Sequence, residues 1–382
     1  RERGEILSVS LATGKTIKSK EFADKPNVAA VVMGHSRDDL ALVRMGRHPQ
    51  TGQPGPDLWV DVPDLRLTPA KTQVVGGGGR PFDHTTSQLR ANGDMSHLAE
   101  WAGTPQVPTG AGFLTRADGG LNYTFNYGSV GPVIPGDDGR VYTGFGVVME
   151  PDPNYNPNFG GSPFKSSAPV RGRSLVPAIG GQFHLGVSRE GGLTLYLGKP
   201  ADPLGPLDDV PGWEPPARPD PNSPGGVPRV PAPDGRMLGP DDYGPGALTD
   251  GKTPFTLDRR IVFAPAHGHL LFLPMSNDRV VHRAFDLKAT LDQTGEDYLL
   301  VTSTPPVRAK GGVGWEYAVR AVAKNGPVKV ELTRAPDGMA VGADGTVTWT
   351  PPKGVIGRAP VEVKVTDAGG RATRQVFEVR FD

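Results

Sequence analysis

Three aromatic residues spaced two apart form the pattern in this chain that is best suited to bind a ligand. Tyr123, Phe125 and Tyr127 alternate with asparagine and threonine across residues 121–127. Because side chains alternate between the two faces of a strand, the three rings share one face. An exposed row could stack on sugar rings, whereas a buried row would fill the contact between two sheets. Both interpretations stay open, and Tyr123, Phe125 and Tyr127 are the candidate residues for binding a glycan or protein partner.

Metal and cofactor chemistry has little support in the residue types. His267 and His269 are separated by one residue and could point to the same side of a strand, as metal ligands do. They lie at a turn, however, and no third ligand is within reach by sequence. The chain has no cysteine, which excludes thiolate zinc sites, iron–sulfur clusters and thiol catalysis. The sequence therefore predicts neither a metal site nor a cofactor.

Catalytic constellations are equally weak. Asp83-His84 has no serine nucleophile motif to serve, and the carboxylate pairs Asp137-Asp138 and Asp241-Asp242 read as turn residues. The four glycines at 76–79 are followed by Arg80-Pro81-Phe82, which cannot begin the helix that a phosphate loop requires. We therefore expect that the chain is not an enzyme.

Charge and hydropathy limit the classes of partner. The 382 residues carry 41 basic and 41 acidic side chains, so no net field attracts nucleic acid or an anionic membrane. No apolar run approaches the length of a membrane span, and we expect no membrane insertion. The chain opens at Arg1-Glu2 without a methionine. We expect it to belong to a longer protein, whose remainder would be one of its partners.

The elements that must position these residues are predicted to be strands. Short apolar runs recur between Asn-Gly and Asp-Gly turns, and the chain holds 53 glycines and 41 prolines. One short helix is predicted at Leu287 to Gln293, with Asp286 as its N-cap and Gly295 at its end. This pattern indicates a loop-rich, all-β protein.

Residues 259–286 give the clearest sheet. Three strand runs, at 260–265, 270–274 and 279–286, are separated by turn residues. The group resembles the last blade of WD-like and quinoprotein-like bacterial propellers. The resemblance implies a β-propeller, complete or partial, over residues 1–297. A fourth strand for this blade could come from residues 6–11, which would close the ring.

Two stretches rich in proline and glycine, residues 149–173 and 199–257, do not fit regular blades. Proline lacks a backbone N–H and favours extended conformation without sheet pairing. We expect both stretches to be long surface insertions between strands.

The C-terminal residues 298–382 alternate apolar and polar side chains in runs separated by Asp-Gly and Asn-Gly turns. Strands of this kind predict two antiparallel sheets packed face to face, with Tyr317 and Trp349 in the core. The order of turns and aromatic residues resembles cadherin-like, Ig-like modules of bacterial surface proteins. The resemblance implies a spacer or adhesion module. Related modules sometimes bind calcium, but Asp367 lacks acidic neighbours and is expected to form a hairpin turn with Gly370.

These observations favour an all-β chain, a propeller followed by an Ig-like β-sandwich, that binds a protein or glycan without catalysis. It would be extracellular, on the cell surface or periplasmic, with a cytoplasmic location as an alternative. Two other functions stay open. One is a propeller enzyme of glycosidase or quinoprotein type with an accessory sandwich. The other is the sensor region of a cytosolic regulatory protein.

Overall fold

The computed structural model describes residues 5–10, 12–21, 28–34, 40–48, 50–62, 64–75, 87–102, 110–117, 120–127, 132–152, 154–156, 163–198, 203–215, 230–231, 237–238 and 257–382. The glycines at 76–79, Asp83-His84 and Asp241-Asp242 lie outside these residues. The chain divides into two compact units. The first contains the described residues up to Phe263 and Leu270–His282, and the second contains Ala264–His269 and Arg283–Asp382.

The first unit is built mainly from antiparallel pairs of strands that follow one another along the chain. It begins with a hairpin of β1 (Glu5–Val9) and β2 (Thr16–Glu21). Four groups of four consecutive strands follow, here called the first to fourth blades; the first two groups share one sheet, and the third and fourth each form a sheet of their own. Their strands are β3 (Val28–Met33), β4 (Leu40–Met45), β5 (Asp57–Asp61) and β6 (Arg66–Val74); β7 (Ser87–Ala91), β8 (His97–Ala102), β9 (Gly110–Ala117) and β10 (Gly120–Tyr127); β11 (Val133–Pro135), β12 (Val141–Thr143), β13 (Val148–Pro151) and β14 (Phe164–Ser166); β15 (Arg173–Pro177), β16 (Phe183–Ser188), β17 (Leu193–Leu197) and β18 (Pro203–Leu207).

A short pair of strands, β19 (Val230–Pro231) and β20 (Met237–Leu238), comes next along the chain. A three-stranded sheet follows in the order predicted from residues 259–286, here called the fifth blade. Its strands are β21 (Ile261–Ala264), β22 (His269–Phe272) and β23 (Val281–Ala284).

The first strand of each blade lies against the first strand of the next. Contacts join β3 to β7, β7 to β11 and β11 to β15, and β15 contacts the 3-10 turn Leu257–Arg259 that leads into β21. Sheets that stand side by side, with the first strand of each in contact with the first strand of the next, are the arrangement of a β-propeller. The all-β, propeller-type architecture expected from the sequence is confirmed.

Apolar side chains fill the spaces between neighbouring blades. Leu42 and Trp59 of the first blade share a buried cluster with Leu98 and Leu114 of the second. Trp101 and Phe113 of the second blade pack against residues of the third that include Val141. The cores of this unit thus lie between blades, because each strand alternates apolar side chains between two covered faces.

The first two blades are also joined at their outer edges. β10 pairs with β6 in parallel, in register from Gly120 opposite Lys71 to Tyr123 opposite Val74. The two blades therefore form a single eight-stranded sheet.

The N-terminal strand does not complete the fifth blade. β1 pairs with β2, and Ile6 packs against a first-blade cluster that contains Ala41, Val43 and Val60. The prediction that residues 6–11 supply a fourth strand to the last blade is therefore wrong. A tight turn with Gly14 at a φ of 67° lets β1 pair with the strand that directly follows it.

The proline-rich stretches are not free of sheet structure. The stretch 149–173 contains β14 and most of β13, and the stretch 199–257 contains β18, β19 and β20. β18 carries Pro203 and Pro206 and lies at the edge of its blade. An edge strand tolerates proline, because its outward N–H needs no partner within the sheet. The expectation of insertions without sheet pairing is corrected for these strands; residues 157–162, 216–229, 232–236 and 239–256 lie outside the described residues, and there it stays a prediction.

The second unit contains the predicted helix and several short sheets. Helix α1 (Leu287–Thr294) begins after Asp286, whose side chain accepts a hydrogen bond from the Ala289 N–H at 2.9 Å, and ends at Gly295. The strands are β24 (Leu299–Val301), β25 (Arg308–Ala309), β26 (Trp315–Ala318), β27 (Ala321–Ala323), β28 (Val328–Arg334), β29 (Ala340–Val341), β30 (Thr346–Trp349), β31 (Gly357–Asp367) and β32 (Ala372–Phe381).

One core holds the sheets of this unit together. Tyr317 and Trp349, from the sheet β26-β30-β29, pack in one cluster with Val363 and Val379, from the sheet β25-β32-β31-β28. The predicted core positions of Tyr317 and Trp349 are confirmed. Asp367 forms the predicted turn, in which its carbonyl accepts from the Gly370 N–H at 3.1 Å.

Candidate functional site

Two of the three aromatic residues on β10, Tyr123 and Phe125, pack against the core of the first unit. Tyr123 has no exposed surface and belongs to the core between the first two blades, and Phe125 is half-buried against the same core. The side chain of Tyr127 lies outside the described residues. Tyr123 is therefore not exposed, as the sugar-stacking hypothesis required, and the hypothesis is wrong at this residue. No ligand contact is assigned to the three residues.

Glycines on the neighbouring strand explain this packing. A Cβ atom at Gly112 of β9 would lie 2.6 Å from the Tyr123 hydroxyl oxygen, and one at Gly110 would lie 2.3 Å from Cζ of Phe125. The rings therefore occupy the space that the two glycines leave open. The spacing of Gly110 and Gly112 is the sequence signal that could have shown that Tyr123 and Phe125 pack against the neighbouring strand.

A polar surface forms where the loops between first and second strands come together. The loops at residues 92–96, 136–140 and 178–182 leave the second, third and fourth blades at the same end; we call this surface the loop face. The carboxylate of Asp137 accepts hydrogen bonds from the Gly93 N–H at 2.6 Å and the Gly180 N–H at 2.7 Å. One side chain thus ties three consecutive loops through charge-assisted bonds.

Asp138 and Arg140 lie beside this tie. The Tyr142 hydroxyl donates to Asp138 at 2.7 Å, and Arg140 pairs with Asp138 at 3.4 Å and with Glu150 at 2.9 Å. Arg140 also reaches the carbonyl of Gly198, in the fourth blade, at 3.5 Å. The Arg140 side chain remains 26% exposed, so its guanidinium is held in place while still facing solvent.

Below the loop face, a histidine lies between two tyrosine rings. His184 of β16 stacks on Tyr196 at a centroid distance of 5.0 Å and an interplanar angle of 7°, and it contacts Tyr142 at 5.0 Å. The ring is fully buried, and neither nitrogen has a hydrogen-bond partner in the described part of the chain. Burial, with the charge of Arg140 as a second cause, lowers the pKa of His184 to about 3. His184 is therefore neutral near pH 7 and enclosed away from any ligand in solvent.

A second polar cluster connects the first two blades and is wholly buried. Arg44 of β4 bonds Asp57 at 3.1 Å, Glu100 of β8 at 2.7 Å and the Ser87 hydroxyl at 3.0 Å. Neither the arginine nor the two carboxylates has notable solvent exposure. This network is placed to hold blades together rather than to meet a ligand.

The loop face is thus the candidate functional site. It offers the exposed carboxylate of Asp94, the Asp138–Arg140 pair and loop backbone on a rigid support. Within the described residues, no group of three or more histidine or acidic side chains could hold a metal ion. The sequence marked Asn92-Gly93-Asp94 and Asp138-Gly139-Arg140 only as turns. It gave no signal for His184 or Arg44, whose surroundings come from different blades.

No family model matches the chain, and no curated protein matches it. Among solved structures, it is similar to the Swd1 β-propeller domain of Myceliophteria thermophila, with 8% identity and a TM-score of 0.37 over 73% of this chain and 77% of that one. It is also similar to dihydro-heme d1 dehydrogenase NirN, with 8% identity and a TM-score of 0.34 over 98% and 71%. An extracellular domain of a one-component system from B. thetaiotaomicron gives 8% identity and a TM-score of 0.31 over 99% of this chain and 52% of that one, about half its length.

The expectation that the chain is not an enzyme is corrected by these comparisons, because the similar structures include a dehydrogenase. The physical reason is that a propeller can assemble a site from separate blades, which leaves no contiguous motif to find in the sequence. At these TM-scores the likenesses assign no activity to this chain.

Among the described residues, no helix is long and apolar enough to span a bilayer.

Proposed function

We propose that the chain is a binding and scaffold region of a longer bacterial exported or surface protein. In this proposal the propeller presents its loop face to a protein or glycan partner, and the second unit is an Ig-like sandwich that serves as spacer. The observation that carries the proposal is the bonding of Asp137 to the loops of both neighbouring blades, at 2.6 and 2.7 Å.

Rigid loops favour binding, because a surface that is ordered in advance loses little conformational freedom when the partner arrives. Two further contacts support this view of the loop face. The Ser96 N–H donates to Asp94 at 2.9 Å. Arg140 bonds Glu150 within the third blade and reaches the Gly198 carbonyl of the fourth. Polar groups held by a sheet scaffold are the usual means by which loops acquire specificity.

Charge on the loop face indicates what it would recognise. Asp94 is exposed, whereas Asp138 is largely covered and paired with Arg140. A carboxylate beside a fixed guanidinium suits a partner that both donates and accepts hydrogen bonds, such as the hydroxyl groups of a glycan or a polar peptide.

The test compares the two ends of the blades. Loops between second and third strands leave at the end opposite the loop face, and exposed Thr51 lies in one of them. The whole chain is screened on a glycan array and, with a photo-crosslinking residue at position 94 or 51, against surface proteins of the source cell. We expect a ligand or crosslink that depends on position 94.

Asp94→Lys should abolish the binding found, and the matched variant Thr51→Lys should retain it. Equal crosslinking from both positions, or a ligand that both variants bind as the unchanged chain does, would show that the loop face is not the binding surface.

A further inference from the structure

A second charged site lies among the inner strands and is formed by residues outside the loop face. Arg90 belongs to β7, the inner strand of the second blade, and is only 9% exposed. Its guanidinium carbon lies 5.2 Å from the centre of the Trp101 ring, and Nη1 donates to the Leu89 carbonyl at 2.8 Å. The head group is thus fixed by a ring and by its own strand.

The partner of Arg90 comes from the far part of the unit. Asp258, in the turn Leu257–Arg259 before β21, accepts a hydrogen bond from Nε of Arg90 through Oδ2. Nη2 of Arg90 and Oδ1 of Asp258 are both buried and have no hydrogen-bond partner among the described residues. A buried N–H of a charged group without an acceptor is unfavourable, so the pair leaves one strong donor unused.

A second guanidinium lies next to this donor. Arg259 is exposed, and in the described part of the chain no ion pair holds its side chain. Burial and, after it, the charge of Arg90 lower the pKa of Arg259, while Asp258 acts in the opposite direction. Arg259 directly follows Asp258 in the turn Leu257–Arg259, and Asp258 is bonded to Arg90, so a single carboxylate stands between two basic residues.

We infer that Arg90 and Arg259, neither of which belongs to the loop face, form a binding site for an oxyanion at the inner strands. Two guanidinium groups beside one carboxylate leave one positive charge in a partly desolvated place. A carboxylate, sulfate or phosphate group would accept a hydrogen bond from the unused Nη2 of Arg90 and form an ion pair with Arg259. Guanidinium groups bind oxyanions well, because their planar N–H donors match the spacing of the oxygen atoms. The ligand class is a small oxyanion or the anionic group of a larger molecule.

The experiment titrates the whole chain with sulfate, phosphate and methyl glucuronide at constant ionic strength, by calorimetry. We expect saturable binding of at least one of the three anions, and the preferred anion identifies a sulfated, phosphorylated or uronic ligand. Arg259→Ala should weaken that binding at least tenfold. The matched variant Arg279→Ala removes another exposed arginine of the same unit, paired with Asp278 at 3.3 Å, and should leave binding unchanged.

A further variant separates a ligand site from a purely structural ion pair. Asp258→Asn removes the carboxylate that competes with the ligand, so it should tighten anion binding even as it lowers the melting temperature. An ion pair that is only structural predicts the lower melting temperature alone. Absence of saturable binding, or equal affinities in Arg259→Ala and Arg279→Ala, would overturn the inference whether or not Asp258→Asn folds.

Discussion

His184 shows how a single residue can be set by its neighbours. The ring is flat against Tyr196 and has Tyr142 on its other side, so it contributes apolar contact although it is a polar residue. Its two nitrogens are left without partners in the described structure, and burial opposes the charged form. The position therefore behaves as an aromatic core residue with an acid-sensitive group inside it.

This arrangement predicts a loss of stability in acid. The unfolded chain binds a proton at His184 near pH 6.5, whereas the folded chain does so only near about 3. As the pH falls through this window the free energy of unfolding should decrease by about 1.4 kcal/mol per pH unit from this residue alone. Urea unfolding of the first unit at pH 7 and pH 4.5 measures it.

His184→Phe keeps the ring contacts and removes the titration, so the decrease between the two pH values should become smaller. His48→Gln changes an exposed histidine and serves as control. If the two variants show the same acid dependence, the interpretation of His184 is wrong.

Trp349 is a buried aromatic residue in the core of the second unit. Its ring is 4% exposed, meets Phe381 edge-on at 5.2 Å and donates through Nε1 to the Asp337 carbonyl at 3.2 Å. Trp349→Ala should therefore lower the free energy of unfolding by about 3–5 kcal/mol, since it leaves a cavity in a closed core. Denaturant unfolding followed by circular dichroism checks this. Val376→Ala, at a position 70% exposed, should change little.

Residue-level prediction from the sequence succeeded where the chemistry was local. The capping of α1 by Asp286, the turn at Asp367 and the core positions of Tyr317 and Trp349 follow from near neighbours in the chain. The role of Tyr123 was left open, because its burial depends both on Gly112 of the neighbouring strand and on a cluster shared with the first blade. The contacts of Arg90 with Asp258 span 168 residues, and no local pattern marks them.

At the level of elements, the loops are held by side chains rather than by sheet pairing. Asp137 lies in the loop between β11 and β12 and bonds the loops that precede β8 and β16. Neighbouring loops that share one acceptor should open together. Strand pairing was predictable from alternation, but the proline-bearing edge strand β18 was missed because proline is rare in sheets except at edges.

Asp137→Ala should loosen all three loops. The amides of Gly93 and Gly180 lose a charged acceptor, so their hydrogen exchange should accelerate, and the free energy of unfolding should fall by about 2 kcal/mol. Exchange followed by mass spectrometry measures the first effect.

Asp137→Asn retains an acceptor oxygen, so its hydrogen-exchange rates at Gly93 and Gly180 should lie between those of the unchanged chain and those of Asp137→Ala. Exchange at Gly93 that stays as slow in Asp137→Ala as in the unchanged chain would contradict the assignment of this residue as the tie.

At the level of the whole molecule, two units carry separate cores. The first unit is stabilised between blades, in part by the buried Arg44 network, and the second by the cluster around Trp349. The sequence indicated both β-rich regions, because alternation is a local property. The sequence could not indicate that Arg44 joins two blades, because the ion pairs of Arg44 are formed with carboxylates 13 and 56 positions away in the chain.

Separate cores predict separate responses to mutation. Arg44→Met leaves Asp57 and Glu100 buried without their cation, so it should cost about 3–5 kcal/mol in the first unit. Calorimetry should resolve two transitions. Arg44→Met should lower one by about 2–4 °C for each kcal/mol, and Trp349→Ala should lower the other, that of the smaller unit, by about 4–8 °C for each kcal/mol. One transition that both variants shift equally would show that the units unfold as one.

The parallel pairing of β6 with β10 has a consequence for synthesis on the ribosome. β6 ends at Val74, but the strand that covers its outer edge begins at Gly120. At a synthesis rate of about 5–20 residues per second, the outer edge of β6 in the nascent first blade stays unpaired for several seconds. During that interval a chaperone, or a neighbouring nascent chain, has its best opportunity to engage this protein.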